Sequence, residues 1–402
     1  MKRVKWIGLC VLLLLTACGQ GSTQAALPVD KEKIDQQVLK GNQQFAFELF
    51  QQMKKDNQNV FMSPYSISVV MSMVLAGAEG ETETEMKDVM NYGPLEDPLI
   101  LDTYHNYTAH LQNAGEKVDI QSANSIWLDE AFSVKDDFKK DMTDAFRSEV
   151  FQQELSNQAI VDDMNGWVSD KTNGMIDTLI QKPYDGSVRM LLNNAIYFNG
   201  KWKNPFEESM TTERDFTLTD GTIQKQKLMF QEERFDYLET EGYQAVQMPY
   251  GEGDYSMYAF LPKDQPIDDF VMTFNAEEFR HTKESMQSTL VELTLPKFKV
   301  EYGVKSVKEP LMNLGMESVF SNADLSAMSD AGLYVDDVIH KAVIDVTEEG
   351  TEAAAVTQAS VEESAAVEPQ AEIFKADRPF FYVIADDEYD SILFMGTYEG
   401  EL

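Results

Sequence analysis

The chain has 402 residues, with 69 Asp and Glu against 33 Lys and Arg, and a formal net charge of −36. That balance argues strongly against a nucleic-acid partner, whose phosphates demand basic neutralisation, and against a polyanionic activator. With 43% hydrophobic and 25% charged residues the composition is globular, with enough apolar material for a large core in one or two domains.

Residues 1–17 read as a targeting segment: Lys2, Arg3 and Lys5 precede an apolar run at 7–15. The run is shorter than the roughly 20 residues a bilayer-spanning helix needs. It ends in Leu15-Thr16-Ala17-Cys18, which resembles a bacterial lipobox and makes Cys18 the candidate lipidation site. The alternative is ordinary cleavage near Ala26. Cysteine usage favours the lipid, because Cys10 lies in the discarded run and Cys18 is the only other cysteine. The exported chain then forms no internal disulfide, and its stability comes from packing. Residues 18–29 form a Gly/Ser/Gln/Ala tether, and the folded part begins near Asp30.

Ile34, Val38, Phe45 and Leu49 share one helical face. Ser63-Pro64 supplies an N-cap followed by proline at the first helical position, opening an apolar helix through Val74 that stops near Gly77. Thr82 with Glu85 predicts a capping box, and Asp97-Pro98 another helix start. Val118, Ile120, Ser122 and Asn124 alternate with polar neighbours as a half-buried strand does. Helices are predicted over 135–147 and 160–170. Strands are predicted over 191–198, 216–218, 245–248, 255–261, 290–300, 333–346, 380–385 and 392–398. Helices dominate the first third and strands the rest, without βαβ regularity, so the fold class is α+β. Residues 349–372 break the pattern: rich in Ala, Glu, Ser, Thr and Gln, without any aromatic, and set between core strands. A stretch of that length inside a compact domain is an excursion with a function, or a low-complexity linker.

Enzyme machinery is missing from the sequence. His105, His110, His281 and His340 have no zinc-ligand spacing, no Gly-x-Ser-x-Gly elbow or phosphate-binding loop occurs, and Gly251-Glu252-Gly253 reads as a hairpin turn. No metal or cofactor is expected. The informative stretch is 342–357, Ala-Val-Ile-Asp-Val-Thr-Glu-Glu-Gly-Thr-Glu-Ala-Ala-Ala-Val-Thr. If a chain of this kind joined a sheet as a strand, Thr351, Ala353, Ala355 and Thr357 would face inward and the neighbouring glutamates outward. All four inward residues are small, and Gly350 gives the freedom to bend where the strand begins. A charge on the inward set would stall the insertion.

This stretch resembles the hinge of the serpin family. Other stretches resemble the same family in the same order: Asn59-Val-Phe-Met-Ser-Pro-Tyr-Ser66, Asn194-Ala-Ile-Tyr-Phe-Asn-Gly-Lys-Trp202, Leu295-Pro-Lys-Phe-Lys299, Asp337-Val-Ile-His-Lys-Ala342, and Arg378-Pro-Phe-Phe381 with Phe394-Met-Gly396. The resemblance implies one serpin-like α+β domain over 30–402, with helices packed on large, mostly antiparallel sheets and a reactive-centre loop at about 349–374. It implies an irreversible inhibitor of serine proteinases, not an enzyme, that acts as a monomer through loop cleavage, acyl-enzyme trapping and loop insertion. A serpin-like binding or chaperone-like surface protein that no longer inserts its loop is the alternative.

The resemblance also assigns residues. Ser63, Ser66, Asn193 and His340 match the polar cluster under the opening sheet, and Trp202, Lys297 and Glu348 the region where the loop enters, with a Glu348–Lys297 ion pair holding its top. The scissile bond is expected near Ser364, Ala365, Ala366 or Val367, whose small side chains suit an elastase-like or subtilisin-like proteinase. Cleavage after Glu363 or Glu368 would point instead to a glutamate-preferring enzyme. The expected location is the cell envelope, with the domain outside the cytoplasmic membrane and held there by the lipid on Cys18.

Overall fold

In the computed structural model, residues 26–54, 58–115, 117–351 and 370–401 are described. Cys18, Ala353, Ala355, Thr357 and Ser364 to Val367 lie outside them. The first helix, α1 (Gln36–Met53), is capped by the Asp35 carboxylate, which accepts the Gln37 N–H, and Val38, Phe45 and Leu49 on its predicted face are fully buried. Strand β1 (Val60–Met62) leads into α2 (Pro64–Leu75), where the Ser63 hydroxyl accepts the Ser66 N–H at 3.1 Å and Pro64 occupies the first turn. Here the cap and the proline act as the sequence predicts.

The helix α3 (Gly80–Val89) starts two residues before the predicted capping box. Thr82 and Glu85 therefore lie within its first turns, and they serve another segment. The Thr82 hydroxyl accepts the Asp324 N–H, and the Glu85 carboxylate accepts the N–H groups of Glu317 and Ser318. Next come α4 (Asp97–Gln112), β2 (Val118–Leu128), α5 (Asp136–Asp144), β3 (Glu149–Gln152), α6 (Ala159–Lys171) and β4 (Met190–Lys201). The chain turns to strands in β5 (Thr212–Thr217), β6 (Ile223–Glu239), β7 (Tyr243–Tyr250) and β8 (Tyr255–Pro262). Helices α7 (Ile267–Thr273) and α8 (Ala276–Ser285) precede β9 (Gln287–Pro296), β10 (Phe298–Glu301), β11 (Lys305–Ser306) and α9 (Lys308–Asn313). The chain closes with β12 (Ile339–His340), β13 (Val343–Val346), β14 (Gly350–Thr351), β15 (Glu372–Lys375), β16 (Phe380–Asp386) and β17 (Ser391–Tyr398).

One sheet runs β1-β17-β16-β8-β7-β6-β9-β15 with β5 attached to β6, and a second runs β10-β13-β14-β4-β2-β3. Every pairing among them is antiparallel except β15 on β9 and β3 on β2. Two predicted strands are each divided. The run at 290–300 breaks at Lys297, so that β9 stays in the first sheet while β10 becomes an edge of the second. The run at 333–346 pairs only at β12 and β13, because the Asp337 carboxylate accepts the Val338 N–H at 2.8 Å and turns the chain away from a ladder. The predicted loop is also shorter at its far end, since β15 from Glu372 already pairs with β9.

The main core lies between the two sheets and under α1 and α2, where Phe61, Phe198, Phe298, Phe394, Tyr382 and Tyr398 are all buried. A second, smaller core lies on the outer face of the second sheet. There Trp127 and Ala195 pack against Ile160, Met164 and Trp167 of α6 and against Ile176 and Ile180 of the segment after it.

Candidate functional site

The second sheet is divided down its length. β4 pairs with β2 from Met190 to Gly200, and β13 pairs with β10 from Val343 to Val346. Among the described residues the two halves are joined only by β14, where Gly350 opposes Lys201 and Thr351 opposes both Gly200 and Val346. The first two residues of the predicted hinge thus already sit in the sheet, with Thr351 facing inward and buried as its place in the alternation requires.

Close approach explains the glycines. A Cβ on Gly350, whose φ is +154°, would lie 2.1 Å from the Gly200 carbonyl oxygen, and one on Gly200 would lie 2.8 Å from the rings of Phe198 and Tyr250. Neither position admits a larger residue without moving backbone or a packed ring.

Below Thr351 the gap continues as two clefts in line. The upper one, narrow, lies between Ile196 and Phe198 on one side and Val343 and Ile344 on the other, with Phe61 and Phe394 as its floor. The lower one, equally narrow, lies between Leu192 and Ala195 on one side and Ile339 and His340 on the other, above Ser66 and Ile67. Met175, Ile176 and Leu179, from the segment after α6, roof these clefts, and the Lys341 ammonium ties that roof down by donating to the Thr178 carbonyl at 3.0 Å. Below β14 the facing edges of β4 and β13 have no strand partner among the described residues, and such an edge is a place where one more strand can pair.

At the head of the gap the Glu348 carboxylate accepts from the Lys297 ammonium at 2.7 Å and from the Thr211 hydroxyl at 2.9 Å. The Glu348 side chain is 7% exposed and that of Lys297 40%. Burial pushes the Glu348 carboxyl up, but the bonds from Lys297 and Thr211 outweigh it and hold the group below its ordinary value. The Trp202 indole N–H donates to the Thr347 carbonyl at 3.0 Å, and the backbone N–H groups of Trp202 and Phe206 donate to Glu349 and Glu348. Trp202, Lys297 and Glu348 therefore converge on the turn that launches the hinge.

Under the gap, the buried His340 accepts the Ser63 N–H at its Nε2, 3.1 Å away, and the Ser63 hydroxyl donates to the Leu393 carbonyl at 2.7 Å. Burial alone lowers His340 to about 4, so it is neutral at physiological pH. Ser66 joins through its backbone. Asn193 does not belong on this face: its amide donates to the Ser125 hydroxyl, in the layer beneath α6 that also holds Ala195. Its neighbour Asn194 points the other way, bonding Ser122 and Asn124, with its own carbonyl oxygen buried and unpartnered. The asparagine under the sheet is therefore Asn194, because successive strand residues face opposite sides. Among the described residues no group of His, Cys, Asp and Glu is arranged to hold a metal.

A divided sheet with its hinge residues seated at the top fits one known architecture. The family model described as Serpin (serine protease inhibitor) matches residues 40–399. The chain belongs to the serpin family. A serpin-like protein of Methanosarcina acetivorans is 32% identical over 375 residues, covering 91% of this chain and 88% of that protein. Iripin-2 of Ixodes ricinus is 32% identical over 371 residues, covering 89% and 92%. Among solved structures, the thermophilic serpin tengpin in its native state superposes with a TM-score of 0.82 at 32% identity, over 94% of this chain and 96% of that one. Serpins generally inhibit serine proteases, although some do not, and this serpin carries the family's fold with its two large sheets and packed helices.

The sequence pointed to the loop-entry residues but missed the walls of the gap. Gly200 lay within a quoted stretch, yet its role depends on Tyr250, which approaches from 50 residues away in another sheet.

Proposed function

We propose that this serpin irreversibly inhibits serine proteinases, and that it does so at the cell surface, held by a lipid on Cys18. The observation that supports the reading is the seating of Gly350 and Thr351 between β4 and β13, at the head of a gap that no other strand of the described residues bridges. Loop insertion in serpins is a known instance of strand addition, and here the register is already set. Continued from Thr351 opposite Gly200, it brings Ala353 opposite Phe198, Ala355 opposite Ile196 and Thr357 opposite Asn194, each on the core side. Small residues enter without displacing the floor.

The proteinase serine attacks a loop carbonyl and forms an ester as the amine fragment departs. Insertion then carries the attached enzyme away before water can cleave the ester. The native state is held kinetically above the inserted one. The small residues Ser364, Ala365, Ala366 and Val367 favour an elastase-like or subtilisin-like target, and the short apolar run ending at Cys18 supports the lipid anchor.

Incubating the lipid-free protein with an elastase-like or a subtilisin-like proteinase tests the reading. A denaturant-resistant covalent complex is expected, with mass spectrometry of the released fragment locating the scissile bond. Degradation of the loop with full proteinase activity retained would favour a serpin that binds without inhibiting.

A further inference from the structure

The β14 hinge is only two residues long, and Gly350 has no side chain. The Thr347 hydroxyl donates to the Gly350 carbonyl at 3.1 Å, and the hinge's own side chains make one hydrogen bond among the described residues, from Thr351 to a residue of the other sheet: the Thr351 and Tyr250 hydroxyls are 2.6 Å apart, and both groups are buried. Tyr250 is the last residue of β7 and is held on several sides. The Trp202 ring lies parallel to it at 4.3 Å, Phe198 meets it edge-on at 5.0 Å, and the missing side chain of Gly200 leaves the space its ring fills. Trp202 is itself fixed by its bond to the Thr347 carbonyl. The Tyr250 hydroxyl is thus a rigid point, and burial drives its pKa far up, so it stays protonated.

We propose that Tyr250 is a positioning residue that sets the register in which the hinge enters the sheet. A slip of one residue would bring Glu352 or Gly350 to the level of Gly200 and would turn every following side chain to the opposite face. In the observed register the small hydroxyl of Thr351 meets the phenol; in the slipped one either a carboxylate is forced against buried rings or the phenol loses its partner. Tyr250 therefore favours the one alignment that sends Ala353 and Ala355 to the core. This rests on the insertion mechanism proposed above, but the latch itself exists in the uncleaved protein and can be read there.

The test compares Tyr250→Phe, Thr351→Val, the double variant and Thr351→Ser. Hydrogen exchange of the segment around residues 347–351 is measured in the intact protein without any proteinase. Each of the first two variants is expected to speed exchange by roughly two- to tenfold, the range one hydrogen bond supplies. The double variant should be no faster than either single one, and Thr351→Ser should resemble the parent. With proteinase, Tyr250→Phe should raise the fraction of loops cleaved without trapping while leaving the initial cleavage rate unchanged. Unchanged exchange in both single variants would overturn the proposal. So would effects that multiply in the double variant, because the two hydroxyls would then act independently. If the parent protein traps no proteinase, the inhibitory function fails, whereas the exchange results still decide the latch.

Discussion

Replacing Glu348 with glutamine keeps the shape of the side chain and removes its charge, at the point where the hinge leaves β13. The bond from the Thr211 hydroxyl at 2.9 Å survives on the amide oxygen, so the loss is confined to the charge-assisted contact with Lys297 at 2.7 Å. Lys297 is 40% exposed and regains water, which keeps the cost below the roughly 3–5 kcal/mol of breaking a fully buried pair. The buried position of Glu348 places it above the roughly 0–1 kcal/mol of an exposed pair. We expect about 1.5 kcal/mol of lost native stability at pH 7. Urea unfolding followed by intrinsic fluorescence measures it, with Lys297→Met and the double variant completing a cycle whose coupling should be about 1 kcal/mol. Because the Glu348 carboxyl titrates below its ordinary value, the contribution is present above that ordinary value and is lost as the pH falls through the folded one. The difference between parent and Glu348→Gln should shrink accordingly in acid. A coupling below about 0.3 kcal/mol at pH 7 would refute the reasoning, since the pair would then behave as two independent surface groups.

Ala355→Arg places a guanidinium opposite Ile196 and above Phe61 and Phe394 once the loop inserts, where an unpaired charge costs several kcal/mol. The proteinase should then cut the loop at the normal rate and go free, whereas Glu352→Arg, on the outward face, should still trap; both outcomes are read on denaturing gels. His340 has a folded value of about 4 against an ordinary 6.5, so between those pH values the unfolded chain binds a proton that the native protein refuses. Native stability should fall as the pH drops through that window, by on the order of 3 kcal/mol in all, and His340→Gln should flatten the fall. An imidazole that titrates near 6.5 by NMR would contradict the burial that the structure gives it.

The features that announce themselves locally were legible in the sequence. The Ser63-Pro64 helix start follows from neighbours a few positions apart, as does the inward place of Thr351 after Gly350. The Glu348–Lys297 pair joins residues 51 apart and was readable only through the resemblance. Asn193 and Asn194 show where a pattern fails: β4 is covered on both faces, by the core on one side and α6 on the other, so no apolar alternation says which asparagine points inward. The strand predicted over 333–346 had apolar residues in plenty, but pairing depends on a neighbouring edge, and local side-chain bonds such as that of Asp337 redirect the chain first. The contact of Tyr250 with Thr351 spans 101 residues and two sheets, and no window of sequence contains it.

The central claim is that the second sheet has room for one more strand, and thermal unfolding after a single cut in the loop tests it most directly. Once a proteinase has nicked the loop and been removed, the protein should melt well above the intact form, with the severed segment protected from exchange between β4 and β13. An unchanged melting temperature, with that segment still exchanging freely, would mean that the gap does not accept the loop.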